Sequence, residues 1–115
     1  MSPTRESSVN VGGVSRADAL LALIAEDPDD PFLLYALAME HGKIGQEEAA
    51  LAGFQRVLDG HAGYVPAYFH YARLLADRGD PATAVQVIQR GLKVAEEAGE
   101  GHAAAELREL LDEVG

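Results

Sequence analysis

Residues Pro31–Leu58, PFLLYALAMEHGKIGQEEAALAGFQRVL, decide the fold, because they return as Val65–Leu92, VPAYFHYARLLADRGDPATAVQVIQRGL. At a shift of 34 residues Ala38 meets Ala72, Gly45 meets Gly79, Ala50 meets Ala84 and Leu58 meets Leu92, while Gln55–Arg56 fall on Gln89–Arg90. Character persists where identity does not. Leu34 meets Tyr68, Leu37 meets Tyr71, Tyr35 meets Phe69 and Phe54 meets Ile88. A constant period of this length marks a stacked repeat, in which each unit buries its apolar face only against its neighbours.

Each copy reads as two helices. In the first, Asp30 is placed to cap and Pro31 to occupy the first turn, where its missing N–H costs nothing. Leu34, Leu37, Ala38 and His41 then share one face, and Gly42 to Gly45 end the helix. Glu47 and Glu48 open the next at the positive end of its dipole. Ala50, Leu51, Phe54, Val57 and Leu58 carry it to the stop at Gly60 and Gly63. The second copy puts Tyr68, Tyr71, Ala72 and Leu75 on a core face and turns at Gly79. Asp80 and Pro81 start another helix, lined by Ala84, Val85, Ile88 and Leu92 and expected to run to Ala98.

The flanks extend the pattern. Ser15, with Asp18 three residues on, is a helix start, followed by Ala17, Leu20, Leu21 and Ile24 at helical spacing. Leu20 and Ile24 precede Phe54 and Leu58 by the same 34 residues, so 15–30 reads as the second half of a preceding repeat. Arg16, where a small residue belongs, marks it as degenerate or capping. After Gly99 and Gly101, residues 102–114 form a last helix with Ala103, Leu107, Leu110, Leu111 and Val114 inward and acids outward. Met1–Val14 has no period and reads as a flexible tail; Gly12–Gly13 lacks the rest of a phosphate loop. The domain expected is 15–115: half-repeat 15–30, repeats 31–64 and 65–98, and a capping helix at 102–114.

Composition narrows the function. The 115 residues suffice for one core, and with no cysteine there is no disulfide, thiol nucleophile or thiolate metal site. A formal charge of −10 speaks against nucleic acid and against anionic membrane surfaces. No apolar run reaches the roughly 18 residues of a membrane span, and the first residues lack the order of a signal peptide. The expected location is cytoplasmic. His41, His61, His70 and His102 have no metal-ligand spacing, so neither metal nor cofactor is expected. Glu47–Glu48 and Glu96–Glu97 read as helix-end and surface charge rather than as an acid–base pair. The chain is therefore not expected to be an enzyme.

The repeat resembles the tetratricopeptide family. Its pattern of a large apolar residue, a large–small pair and then Ala-x-x-x-Phe appears as Leu34, Leu37–Ala38 and Ala50-x-x-x-Phe54. The second copy has Tyr68, Tyr71–Ala72 and Ala84-x-x-x-Ile88. The tryptophan is missing from both copies, and His41 and Leu75 stand where an aromatic is usual. Gly91 replaces a residue that is small but not usually glycine, and the closing proline is present only at Pro28. The resemblance implies an all-α, short right-handed solenoid of antiparallel helix pairs, about six helices in all.

It also implies a concave groove that holds a peptide or a partner's helix. By resemblance the groove residues are Phe32, Tyr35, Met39 and Lys43 on one helix and Phe69, His70, Arg73 and Asp77 on the next. Phe32, Tyr35 and Met39 are off the Leu34–Leu37–Ala38 face, so they form a second apolar stripe. That stripe is either covered by the first helix or the tail, or left for a partner. Arg73 either pairs with Asp77 one turn on or meets a ligand. The Lys and Asn clamp that grips chaperone C-termini is absent, since Tyr35, Met39 and His70 hold those places. An apolar or basic segment suits this groove better than an acidic tail. The function expected is binding of a protein or peptide of unknown identity. The alternative is structural self-association as a homodimer, or service as an accessory subunit of a larger assembly.

Overall fold

The computed structural model describes residues 15–115; the reading of Met1–Val14 as a tail lies outside them. Six helices follow one another: α1 (Arg16–Glu26), α2 (Pro31–Lys43), α3 (Glu47–Gly60), α4 (Val65–Asp77), α5 (Pro81–Glu97) and α6 (Gly101–Val114). No strand occurs among the described residues. Helices pack in sequence order, most closely as the pairs α2–α3 and α4–α5, into a short solenoid of 54 × 30 × 21 Å.

Local chemistry sets the helix ends. The Ser15 hydroxyl accepts from the Asp18 amide at 3.1 Å, Asp30 from Phe32 at 2.9 Å and Asp80 from Thr83 at 3.2 Å. Each such cap is worth about 1 kcal/mol. Within each pair the turn is a left-handed glycine, Gly45 at φ 84° and Gly79 at φ 87°. The amide of the next residue reaches back five places, Gln46 to His41 O at 2.8 Å and Asp80 to Leu75 O at 2.9 Å. That bond closes one helix while the same residue opens the next, which makes the hairpin tight. Between pairs the turn differs and also repeats: Asp27 (φ −141°, ψ 76°) and His61 (φ −142°, ψ 71°) end α1 and α3 alike.

The period then stops. Residue 95, where a third such turn would fall, is a fully buried alanine inside α5. This helix runs 17 residues against the 14 of α3, ending one short of Ala98, and is closed by Gly99 (φ 72°). As a result α6 packs on both α5 and α4 as a terminal lid.

One core runs the length of the chain, from Ile24 through Phe54, Val57, Tyr68 and Ile88 to Leu107 and Leu110. Ala50, Ala72 and Ala84 have no exposed surface, as their repeat positions require. Some inward assignments move outward. Leu21 is half exposed because α1 packs only on α2. Tyr71 is half-buried, its hydroxyl donating to Gln55 Oε1 at 2.7 Å. On α6, Ala104 is buried and Ala103, Leu111 and Val114 only partly so.

Gly91 turns out to be a packing requirement. A Cβ there would stand 2.6 Å from Tyr68 Cβ and 2.8 Å from Cγ. The first copy has Leu34 and Val57 at these places, so a bulkier residue on one helix is matched by a smaller one on the other. Tyr68 is buried and donates its hydroxyl to the Ala62 carbonyl at 2.5 Å. Gly91→Val is expected to cost about 1–3 kcal/mol, read as a lower urea midpoint. Adding Tyr68→Leu, which restores the pair of the first copy, is expected to recover part of that loss. Strict additivity in the double variant would show that this contact does not set the α4–α5 spacing.

Candidate binding groove

α2 and α4 occupy equivalent places in successive repeats, so they lie side by side with their exposed faces turned the same way. Between them is a groove of about 570 Å³, floored by Phe54 of α3 and edged by Arg16 of α1. Phe32, Tyr35, Met39 and Lys43 line it from α2; His70, Arg73 and Asp77 line it from α4. Thus seven of the eight residues implied by the resemblance come together.

Phe69 does not join them. It holds the repeat position of Tyr35 but stands outside the groove lining, beneath the Arg73 side chain. The Arg73 guanidinium lies 5.9 Å from the Phe69 ring centre, and Glu113 of α6 holds that guanidinium at 3.1 and 3.4 Å. Arg73 therefore pairs across 40 residues with Glu113 instead of with Asp77 one turn on.

The apolar end of the groove is built around Tyr35. Its ring packs 6.2 Å from Phe54, 5.3 Å from Tyr64 and 5.9 Å from His70, centre to centre. Phe32 lies beside it with 59% of its surface exposed, and Met39 is half-buried. Only Arg16 of α1 reaches the lining, so among the described residues nothing covers this stripe. The charged end has Arg16 beside Glu40 at 3.6 Å, with Lys43 and Asp77 opposite in sign and equivalent in the repeat.

Arg16 and Glu40 escaped the sequence reading. Arg16 gave a signal, as a large charged side chain in a small-residue position; Glu40 gave none, because its partner lies in another helix.

The histidines divide. His41 is half-buried and His102 exposed, 3.5 Å from Glu106. His61 contacts the Asp29 carbonyl at 2.9 Å, tying α3 to the loop before α2. His70, implied as a groove residue by the resemblance, is half-buried with its ring edge-on to Phe69 at 5.2 Å. Burial lowers its pKa below 6.5, with Arg73 acting in the same direction and Glu106 opposing. The hydroxyls of Tyr35 and Tyr64 are pushed above 10.0, mainly by burial. Among the described residues no three metal-ligating side chains converge.

These shifts fix the direction of pH dependence. The unfolded chain takes up the His70 proton first as pH falls, so folding stability is expected to decline below about pH 6.5. The loss levels off once pH passes below the folded-state value. Urea midpoints measured from pH 7.5 downward should show the decline in the natural chain and a smaller one in His70→Gln. At the alkaline end the unfolded tyrosines ionise first, so stability falls again above about pH 10.

No family model matches the chain, and neither does any curated protein sequence. Solved structures do. A tetratricopeptide repeat domain protein from Salinibacter ruber, studied by NMR in solution, is 32% identical; the match covers 76% of this chain and 88% of that one, with a TM-score of 0.73. A crystal structure of the Salinibacter ruber tetratricopeptide repeat domain protein matches at 32% identity over 74% and 94% of the two chains, with a TM-score of 0.71. A protein from Bordetella parapertussis is 27% identical over 87% of each chain, with a TM-score of 0.76.

Proposed function

The chain belongs to the tetratricopeptide repeat family, and from that we propose that the groove between α2 and α4 binds a peptide or a segment of a partner protein without catalysing a reaction. The observation that carries this reading is Phe32, a large aromatic side chain left mostly exposed beside a concave aromatic wall. Aromatic, Met and Arg side chains in a pocket that excludes water are those that dominate binding energy. The groove offers them on three helices that the core holds rigidly, so little ordering cost opposes association.

A non-catalytic role is supported by what the groove contains. Its imidazole packs against two aromatic rings, and of its two carboxylates Glu40 is engaged with Arg16 while Asp77 lies at the charged end. No helix among the described residues is long and apolar enough to cross a membrane; the reading takes the chain to act in the cytoplasm as an adaptor or scaffold.

Phe32→Glu tests the groove with little effect on the core, and Ile44→Glu, half exposed on the loop after α2, is the control. Immobilised natural chain and both variants are compared for captured proteins. A groove partner is expected to bind the Ile44 variant normally and the Phe32 variant at least about 30-fold more weakly, the loss expected of a hot-spot residue. Partners held equally by all three would rule the groove out.

Self-association is the second reading, favoured by Leu21 and Leu23, each half exposed on α1. It predicts a dimer in sedimentation equilibrium at tens of micromolar that Leu23→Glu dissociates. A monomer under those conditions leaves the groove reading alone.

A further inference from the structure

We infer that the aromatic end of the groove is a proton-sensitive subsite for an uncharged aromatic or aliphatic side chain, accepted by the neutral imidazole of His70 and rejected by the imidazolium. This deepens the groove reading above and rests on it.

The occupant's chemistry follows from the balance of charge around the groove. Arg16 is engaged with Glu40 at 3.6 Å and Arg73 with Glu113 at 3.1 Å. Lys43 and Asp77 are opposite in sign at equivalent repeat positions. The lining therefore asks for no net charge in its ligand, and complementarity favours a neutral one at the aromatic end. What remains unsatisfied there is apolar surface, on Phe32 and Tyr35.

His70 stands where the first copy has the buried methyl group of Ala36. An imidazole in that place sits between Tyr35 at 5.9 Å and Phe69 at 5.2 Å. The charged groups facing it are Glu106 from α6 and Arg73 from its own helix; α2 presents the Tyr35 phenol. Burial already disfavours its charged form. An uncharged side chain seated on Tyr35 removes more water from the imidazole and lowers its pKa further. The free protein then holds more protons than the complex as pH falls through its own His70 pKa, already below 6.5, so affinity falls there. A carboxylate in the same place would raise the pKa and reverse the sign.

The full chain is titrated with N-acetyl-tryptophanamide, a neutral aromatic probe, at about pH 7.5 and about pH 5, following the ring resonances of Phe32, Tyr35 and His70 by NMR. Saturable shifts are expected at these rings, with a dissociation constant larger at the lower pH by up to about tenfold for each unit that binding lowers the His70 pKa. The probe should lower that pKa directly in a titration of the His70 ring, and His70→Gln should flatten the pH dependence. A flat or opposite profile, a dependence that survives His70→Gln, a His70 pKa that the probe leaves in place, or no groove shifts at pH 7.5 would each overturn the subsite. Probe binding without capture of any protein would count against the partner reading alone; capture through Phe32 without probe binding would count against the subsite alone.

Discussion

How closely paired helices approach governs everything else in this protein. A Cβ on Gly53 would stand 2.8 Å from Ala38 Cβ, and one on Gly91 would stand 2.6 Å from Tyr68 Cβ. At these points the helices nearly touch, and small residues are the condition for it. Close approach lets Ile88, Leu58 and Tyr68 fill the remaining volume at the density of a protein interior. The end of α3 is in turn tied to the loop before α2, through the His61 bond to the Asp29 carbonyl and the Arg56 bond to the Pro28 carbonyl. With the pairs locked in this way, α2 and α4 present their outer faces together. The groove is a by-product of the core.

The second copy meets the same requirement by a different route. It enlarges Leu34 to Tyr68 and reduces Val57 to Gly91. Read position by position, Gly91 is a departure from the repeat. As one member of a pair it is what keeps the repeat's helix spacing while Tyr68 sends a hydroxyl to Ala62. A single sequence shows each residue but not which residue opposes it.

That difference separates what could be read from what could not. Helix starts at Ser15, Asp30 and Asp80 and turns at Gly45 and Gly79 depend on atoms a few residues apart, so the sequence displays them directly. Seven of the groove residues that the resemblance implies line one groove, because repeat positions on α2 and α4 stand side by side. The partner of Arg73 was not legible, because its nearest acid in sequence, Asp77, loses to Glu113 on a helix that no local pattern places against α4. His70 was only half legible. Its repeat position says groove, but its burial depends on Tyr35 and Phe69 arriving from both sides.

Tyr35 and Phe69 show what the end of the period does. They are equivalent by repeat, both aromatic and both on the concave side. The repeat places the turn that ends α3 at His61 once more at residue 95. Instead α5 continues to Glu97, and Gly99 sends α6 back across α5 and α4. Glu113 then draws Arg73 over the Phe69 ring. With three added residues in α5, Phe69 lies under an Arg73 held by α6, while the first copy keeps an exposed Phe32. The open site is defined less by the repeat than by where the repeat is broken.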